Sequence, residues 1–568
     1  MYSKPGETAA VFALFFIPLL IFFSLAGKAL MREKDGSVKV FRFMPLITSV
    51  LVAASCGVAL ASYFPGILGY DSEWQTLQAL GLLPLSNHHP VLHTLLWNLF
   101  IALEWAGIPH PYGLALYCIF QILIVSFVCG CVVDREIKCG CGWTLPVLTT
   151  LFYVFYPVFS IFSVQMTKDV LFSCAVVLLF LVLSKFDDPE KVKKTDVLKI
   201  FILTLTASLL RNNFLPAAAF LFLISLILVK KDGIKKITAS VLSALVFAVL
   251  IMKVLYPFAG VVPTESHELL SVPINQIAAV YVHEHSDLTV AEKFIIDEYM
   301  EAGGYNPRLA DTVKFTFDDE LYSSDRSAFW DLYMHLGAKY PEEFANAFLT
   351  QNVQLWYPAA TITDRYSARE YIETADIFIP EYPVERQSLL PAGLGFFEGF
   401  ITSVENSGMA GRVLFSPAIP FYFCLLLLYI VSVTKKRGTG LAAAMILALW
   451  ATYLLGPVSA FRYMYPFFLL IPAVLTPFFA GNVQADVSGA GESGEESSAA
   501  KKEMAGKKES SEKKEMAGKK ENSGKKETGS LKSGDKKSGD KKIENSEEDD
   551  DLDVIEITDE MLKDVQDK

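Results

Sequence analysis

The stretch YGLALYCIFQILIVSFVCGCVV, residues 112–133, is the clearest indication of the fold class because it contains no acidic or basic side chain. A helix needs about 20 consecutive apolar residues to cross the hydrocarbon core of a bilayer, so this stretch predicts a transmembrane helix. Comparable apolar runs lie at 9–30, 45–64, 143–163, 169–185, 197–229, 237–256, 413–434, 441–457 and 461–480. The pattern predicts an all-α polytopic membrane protein with about 11–12 transmembrane helices.

Composition supports this fold class. The chain has 568 residues, of which 52% are hydrophobic, and its mean hydropathy is +0.36. An average soluble domain is less apolar. The formal net charge of −12 comes mainly from one polar insert and the C-terminal tail. The charge therefore gives no reason to expect a nucleic-acid partner.

Four regions follow from the hydropathy pattern. Residues 1–256 form an N-terminal transmembrane region with an outer catalytic loop at 65–110. Residues 257–411 form an extracytoplasmic, mostly helical insert, and 412–482 form the C-terminal transmembrane helices. Residues 483–568 are rich in Lys, Glu, Ser and Gly, so we predict a disordered, charged tail.

Clusters of basic residues in the short loops predict the orientation in the membrane. They lie at Arg32–Arg42, Lys185–Lys194, Lys230–Lys236 and Lys435–Arg437. All four clusters are cytoplasmic only if residues 90–108 do not cross the bilayer, and the sequence leaves that crossing open. This arrangement has 11 spans and predicts a multi-pass protein of the cell membrane. The N-terminus is then outside and the tail is cytoplasmic.

The first outer loop carries the most informative charges, in Tyr70-Asp71-Ser72-Glu73 and Asn87-His88-His89-Pro90. Charged groups beside lipid are costly and often functional, although a solvated loop acid is the plainer alternative. The catalytic candidates are Asp71, Glu73, His88 and His89, and Asp71 suits a general base that takes a proton from an acceptor hydroxyl. Asp71, Glu73 and His89 also suit a divalent metal. His88 and His89 can orient a carboxylate or bind phosphate, and His93 follows one helical turn later.

Four further charged residues are predicted on the same outer side as this loop. They are Lys168, Asp169, Arg211 and Arg462. A lone Lys168 most simply snorkels to water. Together with Arg211 and Arg462 it predicts a site for a polyanion, because the planar donors of Arg bind phosphate at two points.

These motifs resemble those of the GT-C-type glycosyltransferase superfamily, whose members use polyprenyl-phosphate sugars. More narrowly, the chain is similar to an uncharacterised bacterial family of polytopic membrane proteins related to that superfamily. The resemblance spans residues 45–480 and excludes the tail. It rests on Pro65-Gly66-x-x-Gly69-Tyr70-Asp71, Asn87-His88-His89-Pro90, Thr167-Lys168-Asp169, Leu210-Arg211-Asn212-Asn213, Pro273-x-x-Gln276 and Trp356-Tyr357-Pro358.

The resemblance implies an inverting transfer of a hexosyl or pentosyl group from a polyprenyl-phosphate donor. The acceptor is an extracytoplasmic glycan, lipid or protein of the cell envelope. Asp71 resembles the outer-loop acid that acts as base or metal ligand. Lys168 and Arg462 lie where such enzymes hold the lipid phosphate, with help from Arg211. His88 and His89 have no clear counterpart.

Three other functions remain open at this stage. A flippase or transporter of lipid-linked oligosaccharides predicts internal repeats and charges at the membrane midplane, which the sequence does not show. A polymerase of surface polysaccharide, using a diphosphate-linked donor, is hard to separate from a glycosyltransferase. A non-enzymatic scaffold predicts that Asp71 is dispensable. No Gly-rich nucleotide loop is present, which fits a lipid-linked donor.

Overall fold

The computed structural model describes residues 43–69, 71–187, 192–228, 234–358, 360, 376–406 and 416–479. All of them belong to one compact unit, Met1–Glu492. The apolar run at 9–30, the basic cluster Arg32–Arg42 and the predicted disordered tail lie outside the described residues. So do Lys191 and the pair Lys230–Lys231.

The described residues are mostly helical. The helices are α1 Met44–Ser62, α2 Ser72–Ala79, α3 Val91–Ile101, α4 His110–Lys138, α5 Thr144–Phe155, α6 Pro157–Phe162, α7 Lys168–Ser184, α8 Lys194–Leu210, α9 Phe214–Ile227, α10 Ile234–Phe258, α11 Ser271–His283, α12 Val290–Tyr299, α13 Asp311–Lys314, α14 Asp319–Ser324, α15 Arg326–Lys339, α16 Pro341–Asn352, α17 Pro391–Asn406, α18 Ile419–Thr434, α19 Arg437–Tyr453 and α20 Tyr465–Phe479. Between these helices, the described chain forms 3-10 turns, loops and isolated β-bridges.

Four described helices are long and apolar enough to cross a membrane: α1, α4, α7 with the turn that extends it to Asp187, and α10. Shorter apolar helices include α5, α9 and α18. The coarse prediction is therefore confirmed: the described chain is mostly helical and contains several helices that are apolar and long enough to cross a membrane. Among the described residues, fewer helices reach the length of a span than the sequence predicts, because α18 and α19 have only 16 and 17 residues and the run at 143–163 is interrupted.

Two interruptions show the physical cause. The apolar run at 143–163 was predicted as one helix, but α5 ends at Phe155 and α6 begins at Pro157. Tyr156 between them has extended backbone, as expected for a residue that precedes proline. The run at 197–229 breaks at Arg211–Asn213, as predicted, where Arg211 is also extended.

Helix α7 lies inside the bundle and contacts α4, α8, α19 and α20. Its sequence is apolar on every face, and nearly all of it is buried. A helix of this kind is stable only when it is surrounded by other helices or lipid. The charged residues Lys168 and Asp169 in its first turn therefore lie at the end of the most buried helix.

The insert forms its own apolar core. Leu270, Ile277, Ile296, Phe329 and Leu336 are among its buried residues. It also bonds to the bundle, since Gln351 Nε2 donates to the Gly456 carbonyl at 2.6 Å and the backbone amide of Ala310 donates to the Pro457 carbonyl at 2.9 Å. The insert is thus attached to the chain just before Arg462.

Candidate functional site

A short backbone pairing brings the first outer loop to the start of α7. The amide of Ile67 donates to the Val164 carbonyl at 2.9 Å, and the amide of Met166 donates to the Ile67 carbonyl at 3.0 Å. Ile67 and Gln165 form a parallel β-bridge. The pairing places the residues after Ile67 beside those after Gln165, which include Lys168.

Gly66 makes this pairing possible. Its φ of +138° is rarely adopted by residues with a side chain. A Cβ at this position would also lie 2.6 Å from Cys118 Sγ and 3.2 Å from the Val164 carbonyl oxygen. The glycine in the Pro-Gly-x-x-Gly-Tyr-Asp motif is therefore required by close backbone packing.

Asp71 lies at the N-cap of α2 and meets two cations from distant parts of the chain. Lys168 Nζ donates to Asp71 Oδ2 at 2.5 Å, and Arg462 Nη1 lies 3.4 Å from the same oxygen. The side chains of Lys168 and Arg462 are only 13% and 15% exposed, and that of Asp71 is 26% exposed. One carboxylate oxygen thus holds two largely buried cations.

This charge pattern keeps Asp71 ionised. Burial alone would raise the pKa of the carboxyl group, but the charges of Arg462 and Lys168 outweigh it and hold the pKa well below its usual range. An ionised carboxylate with a low pKa accepts a proton poorly. Asp71 in this state binds cations better than it acts as a base.

Asp169 and Arg211 pair with one another. Arg211 Nη1 donates to Asp169 Oδ1, and Asp169 is completely buried. The guanidinium also lies 4.3 Å from the ring centre of Tyr463 and 5.3 Å from that of Tyr453. Arg211 is therefore held in place, and the predicted contact of both residues with phosphate stays a prediction.

The two histidines of the Asn-His-His-Pro motif have different surroundings. Their rings are in edge-to-face contact, with centres 4.5 Å apart. His88 Nδ1 lies 3.7 Å from Glu268 Oε1 of the insert, and its side chain is 40% exposed. His89 is 6% exposed, and its Nδ1 has no hydrogen-bond partner among the described residues.

Burial and the charge of Lys168 lower the pKa of His89 to about 3, so this imidazole is neutral at pH 7. A neutral, buried ring nitrogen without a partner is costly unless a ligand or water completes its hydrogen bonding. His89 is therefore a group that a bound molecule would contact.

The structure gives less support for a direct role in binding or catalysis to two other residues of this region. His93 is fully buried, and its ring nitrogens contact Gln75 Oε1 at 3.0 Å and the Tyr117 hydroxyl at 2.7 Å. Both nitrogens are occupied, so His93 stabilises the packing of α3. Glu73 is half-buried in the first turn of α2 and makes no ion pair within the described parts of the chain.

The insert adds charged groups that the sequence analysis did not select. Lys314 Nζ lies 2.9 Å from Glu268 Oε1 and 2.8 Å from Asp311 Oδ1, and it is 3% exposed. His267 Nε2 lies 3.2 Å from Glu268 Oε1, and His267 Nδ1 lies 2.5 Å from Asp319 Oδ2. Burial opposes the change, but the contacts with His267 and Lys314 lower the pKa of Glu268 to about 2.

Metal-ligating groups come together in the insert. Within the described ranges, candidate ligand atoms of Glu265, His267 and Asp319 lie within 4.8 Å of one another. The predicted set Asp71, Glu73 and His89 does not form such a group in the described chain, and its metal binding stays a prediction. The contacts of His267 with Glu268 and Asp319 raise the pKa of its imidazole, and this ion pairing is a sufficient explanation for the group in the insert.

The sequence could have indicated Glu268, since His267-Glu268 is a pair of titratable residues just after an apolar run. Lys314 carries no such signal, because lysine is common in soluble helices. Its role depends on burial, which only the fold reveals. Chemically, the arrangement offers two cations that can bind an anion, one carboxylate that can accept a proton, and a neutral imidazole that can form a hydrogen bond.

Comparison with known proteins gives one match. Residues 83–516 match a family described as a family of unknown function, DUF6020. No curated protein and no solved structure matches the chain. The matched segment includes Lys168 and Arg462, and Asp71 lies just before it. Because the match covers more than half of the sequence, the chain belongs to the DUF6020 family.

Proposed function

We propose that this protein is a membrane glycosyltransferase that transfers a sugar from a polyprenyl-phosphate donor to an extracytoplasmic acceptor. The observation that carries the proposal is the meeting of Lys168 and Arg462 on one oxygen of Asp71. Such a transfer needs cations for the departing phosphate and a carboxylate for the proton of the acceptor. All three groups lie at the end of the most buried helix, next to the expected position of a lipid headgroup.

The proposed reaction is a single displacement. The acceptor hydroxyl oxygen forms a bond to the anomeric carbon while the bond from that carbon to the phosphate oxygen breaks. The electron pair of the broken bond stays on the polyprenyl phosphate, and the hydroxyl proton moves to Asp71. One displacement inverts the anomeric configuration and needs no covalent enzyme intermediate.

Lys168 and Arg462 then stabilise the negative charge that develops on the phosphate. Helix α7 contributes in the same direction, because Lys168 is its first residue and the N-terminus of a helix favours anions. Arg211 acts as a positioning residue, since the nearest of its ring contacts is with Tyr463, the neighbour of Arg462. His89 offers a hydrogen bond to donor or acceptor.

The finer topology belongs to this proposal. We infer a GT-C-like arrangement of 11 spans, in which residues 90–108 stay on the outer side and the site faces out of the cell. In the structure, α3 with its following turn ends at Ala106 and is shorter than a typical span. The tail would be cytoplasmic, and membrane lipids would surround the bundle.

A reconstitution experiment tests the proposal. The purified protein in liposomes is given a panel of polyprenyl-monophosphate and polyprenyl-diphosphate sugars, and release of the lipid phosphate is followed. Turnover of a monophosphate donor supports the proposal, and turnover of diphosphate donors alone favours the polymerase. Loss of turnover with a chelator assigns a metal. Absence of turnover with every donor contradicts the proposed function.

A further inference from the structure

In the resting site, Asp71 Oδ2 occupies a position between two cations. Lys168 Nζ lies at 2.5 Å and Arg462 Nη1 at 3.4 Å from this single oxygen. The lysine contact is a short charge-assisted hydrogen bond, and the longer arginine contact is an ion pair. A phosphate oxygen that bound to the same two cations would need the space that Asp71 Oδ2 fills.

The two roles that the proposed function gives to this site are therefore in conflict at rest. The cations are assigned to the phosphate and the carboxylate to the proton of the acceptor, yet the cations bind the carboxylate. Both cannot be satisfied at once, because a carboxylate oxygen in contact with a lysine and an arginine has little affinity for a proton.

We propose that the phosphate of the donor displaces Asp71 from Lys168 and Arg462, so that Asp71 becomes available as a base only when the donor is bound. The inference rests on the proposed function and adds an order of events to it. The donor binds first and the acceptor second. An enzyme without donor has no active base, so it does not activate water or acceptor.

Two further observations support a site that exchanges one anion for another. The buried Nδ1 of His89 has no partner among the described residues, so a hydrogen-bonding group is available for a displaced carboxylate or a phosphate. In addition, the partly exposed Asp71 is more accessible than either cation, as expected for the group that moves.

The exchange makes an unusual prediction for Asp71→Asn. The amide keeps the size of the side chain but removes the anion that competes with phosphate. Binding of dodecyl phosphate to the detergent-solubilised full-length protein should therefore become tighter, by about tenfold or more, and transfer should be lost. An ordinary binding residue would give weaker binding when it is replaced.

The assay is isothermal titration calorimetry with dodecyl phosphate, with three comparisons. Asp134→Asn removes a carboxylate from another lysine pair, with Lys138 at 2.5 Å, and should bind like the wild type. Lys168→Met should bind more weakly than the wild type. Asp71→Ala is measured in the same way and should also bind dodecyl phosphate more tightly than the wild type. This second variant tests the proposal if Asp71→Asn does not fold.

Equal or weaker binding by the folded Asp71 variants would overturn the exchange, even if the wild type transfers sugar. Tighter binding by them would support the exchange, even if no donor is ever turned over. Inorganic phosphate is titrated in parallel. If it binds as tightly as dodecyl phosphate, the ligand is a free anion and the proposed lipid-linked ligand is wrong.

Discussion

Gly66 is the residue on which the geometry of the site most directly depends. We expect Gly66→Ala to destabilise the folded protein by about 1–3 kcal/mol, because the new Cβ meets Cys118 Sγ at 2.6 Å and the backbone has positive φ. It should also disturb the Ile67–Gln165 pairing that places Asp71 beside Lys168. Chemical denaturation in detergent measures the first effect, and dodecyl phosphate binding measures the second.

Gly81→Ala is the matched control. Gly81 also has positive φ, at +74°, but a Cβ there has no heavy atom within 4 Å. It should therefore show the backbone strain without the steric clash. If the two variants are equally stable and bind equally well, close packing at Gly66 is not required.

At the residue scale, the sequence identifies candidate site residues but does not predict which of them contact one another. Asp71, Lys168 and Arg462 were selected because charges beside apolar runs are uncommon. The contact between Lys168 and Asp71 could not be predicted, since the two residues are 97 positions apart. The pairing of Arg211 with Asp169 was missed for the same reason, although each residue was selected alone.

The insert depends on a buried cation between two carboxylates. We expect Lys314→Met to destabilise the insert by about 3–5 kcal/mol, because it leaves Asp311 without a cation and Glu268 with His267 alone in a largely buried site. Hydrogen exchange of α11 and α16 detects the effect within the full chain.

Lys339→Met is the control for this prediction. Lys339 pairs with Glu292 at 3.0 Å but is 32% exposed, so its removal should cost about 1 kcal/mol or less. Similar protection in Lys314→Met and in the wild type would show that the buried ion pairs do not hold the insert together.

Acid should weaken the insert in a defined range of pH. The pKa of Glu268 is lowered from its ordinary value of 4.5 to about 2, so the folded state holds this proton less readily than the unfolded state. The stability it contributes is present above pH 4.5 and is lost as the pH falls towards 2. Hydrogen exchange at pH 5 and pH 3 checks this expectation.

Glu268→Gln should reduce that acid sensitivity, since a neutral amide does not titrate. Part of the loss of stability between pH 5 and pH 3 should remain, because the pKa of Glu292 is also lowered to about 2. An unchanged loss of protection between pH 5 and pH 3 in the variant would show that Glu268 does not contribute.

At the element scale, apolar runs predict where helices lie but not where they are interrupted. The break at Arg211–Asn213 was predicted because charged and polar residues separate two apolar segments. Hydropathy does not indicate the break at Tyr156, because Tyr156-Pro157 lies inside an apolar run and the break comes from the effect of proline on the residue before it. The helices of the insert were predicted only in outline, since their core forms between segments distant in sequence.

For the molecule as a whole, the proposed topology predicts which surfaces can be labelled from outside. Glu265 in the insert is 69% exposed. In intact cells, a cysteine at this position should react with a membrane-impermeant maleimide. A cysteine at Lys507 in the tail should react only after the membrane is opened. Six of the eight native cysteines are buried and should label weakly, and the labelling of the partly exposed Cys131 and Cys139 is measured in the wild type as the background.

The reverse pattern of labelling would place the insert and the site on the cytoplasmic side. A nucleotide sugar could then reach the site as readily as a lipid-linked donor.

The sequence predicts a helical membrane protein because hydropathy is a local property. It does not predict the number of full crossings, because this depends on how short helices and loops pack together inside the bundle.

The most direct measurement compares the rates of sugar transfer by the wild type, Asp71→Asn and Asp134→Asn in the same liposomes. General base catalysis contributes about 10²–10⁴-fold, so we expect a loss of that size in Asp71→Asn. We expect no change in Asp134→Asn, whose carboxylate is paired with Lys138 and is 42% exposed. Sugar transfer by Asp71→Asn at the wild-type rate would contradict the proposal that Asp71 is the general base.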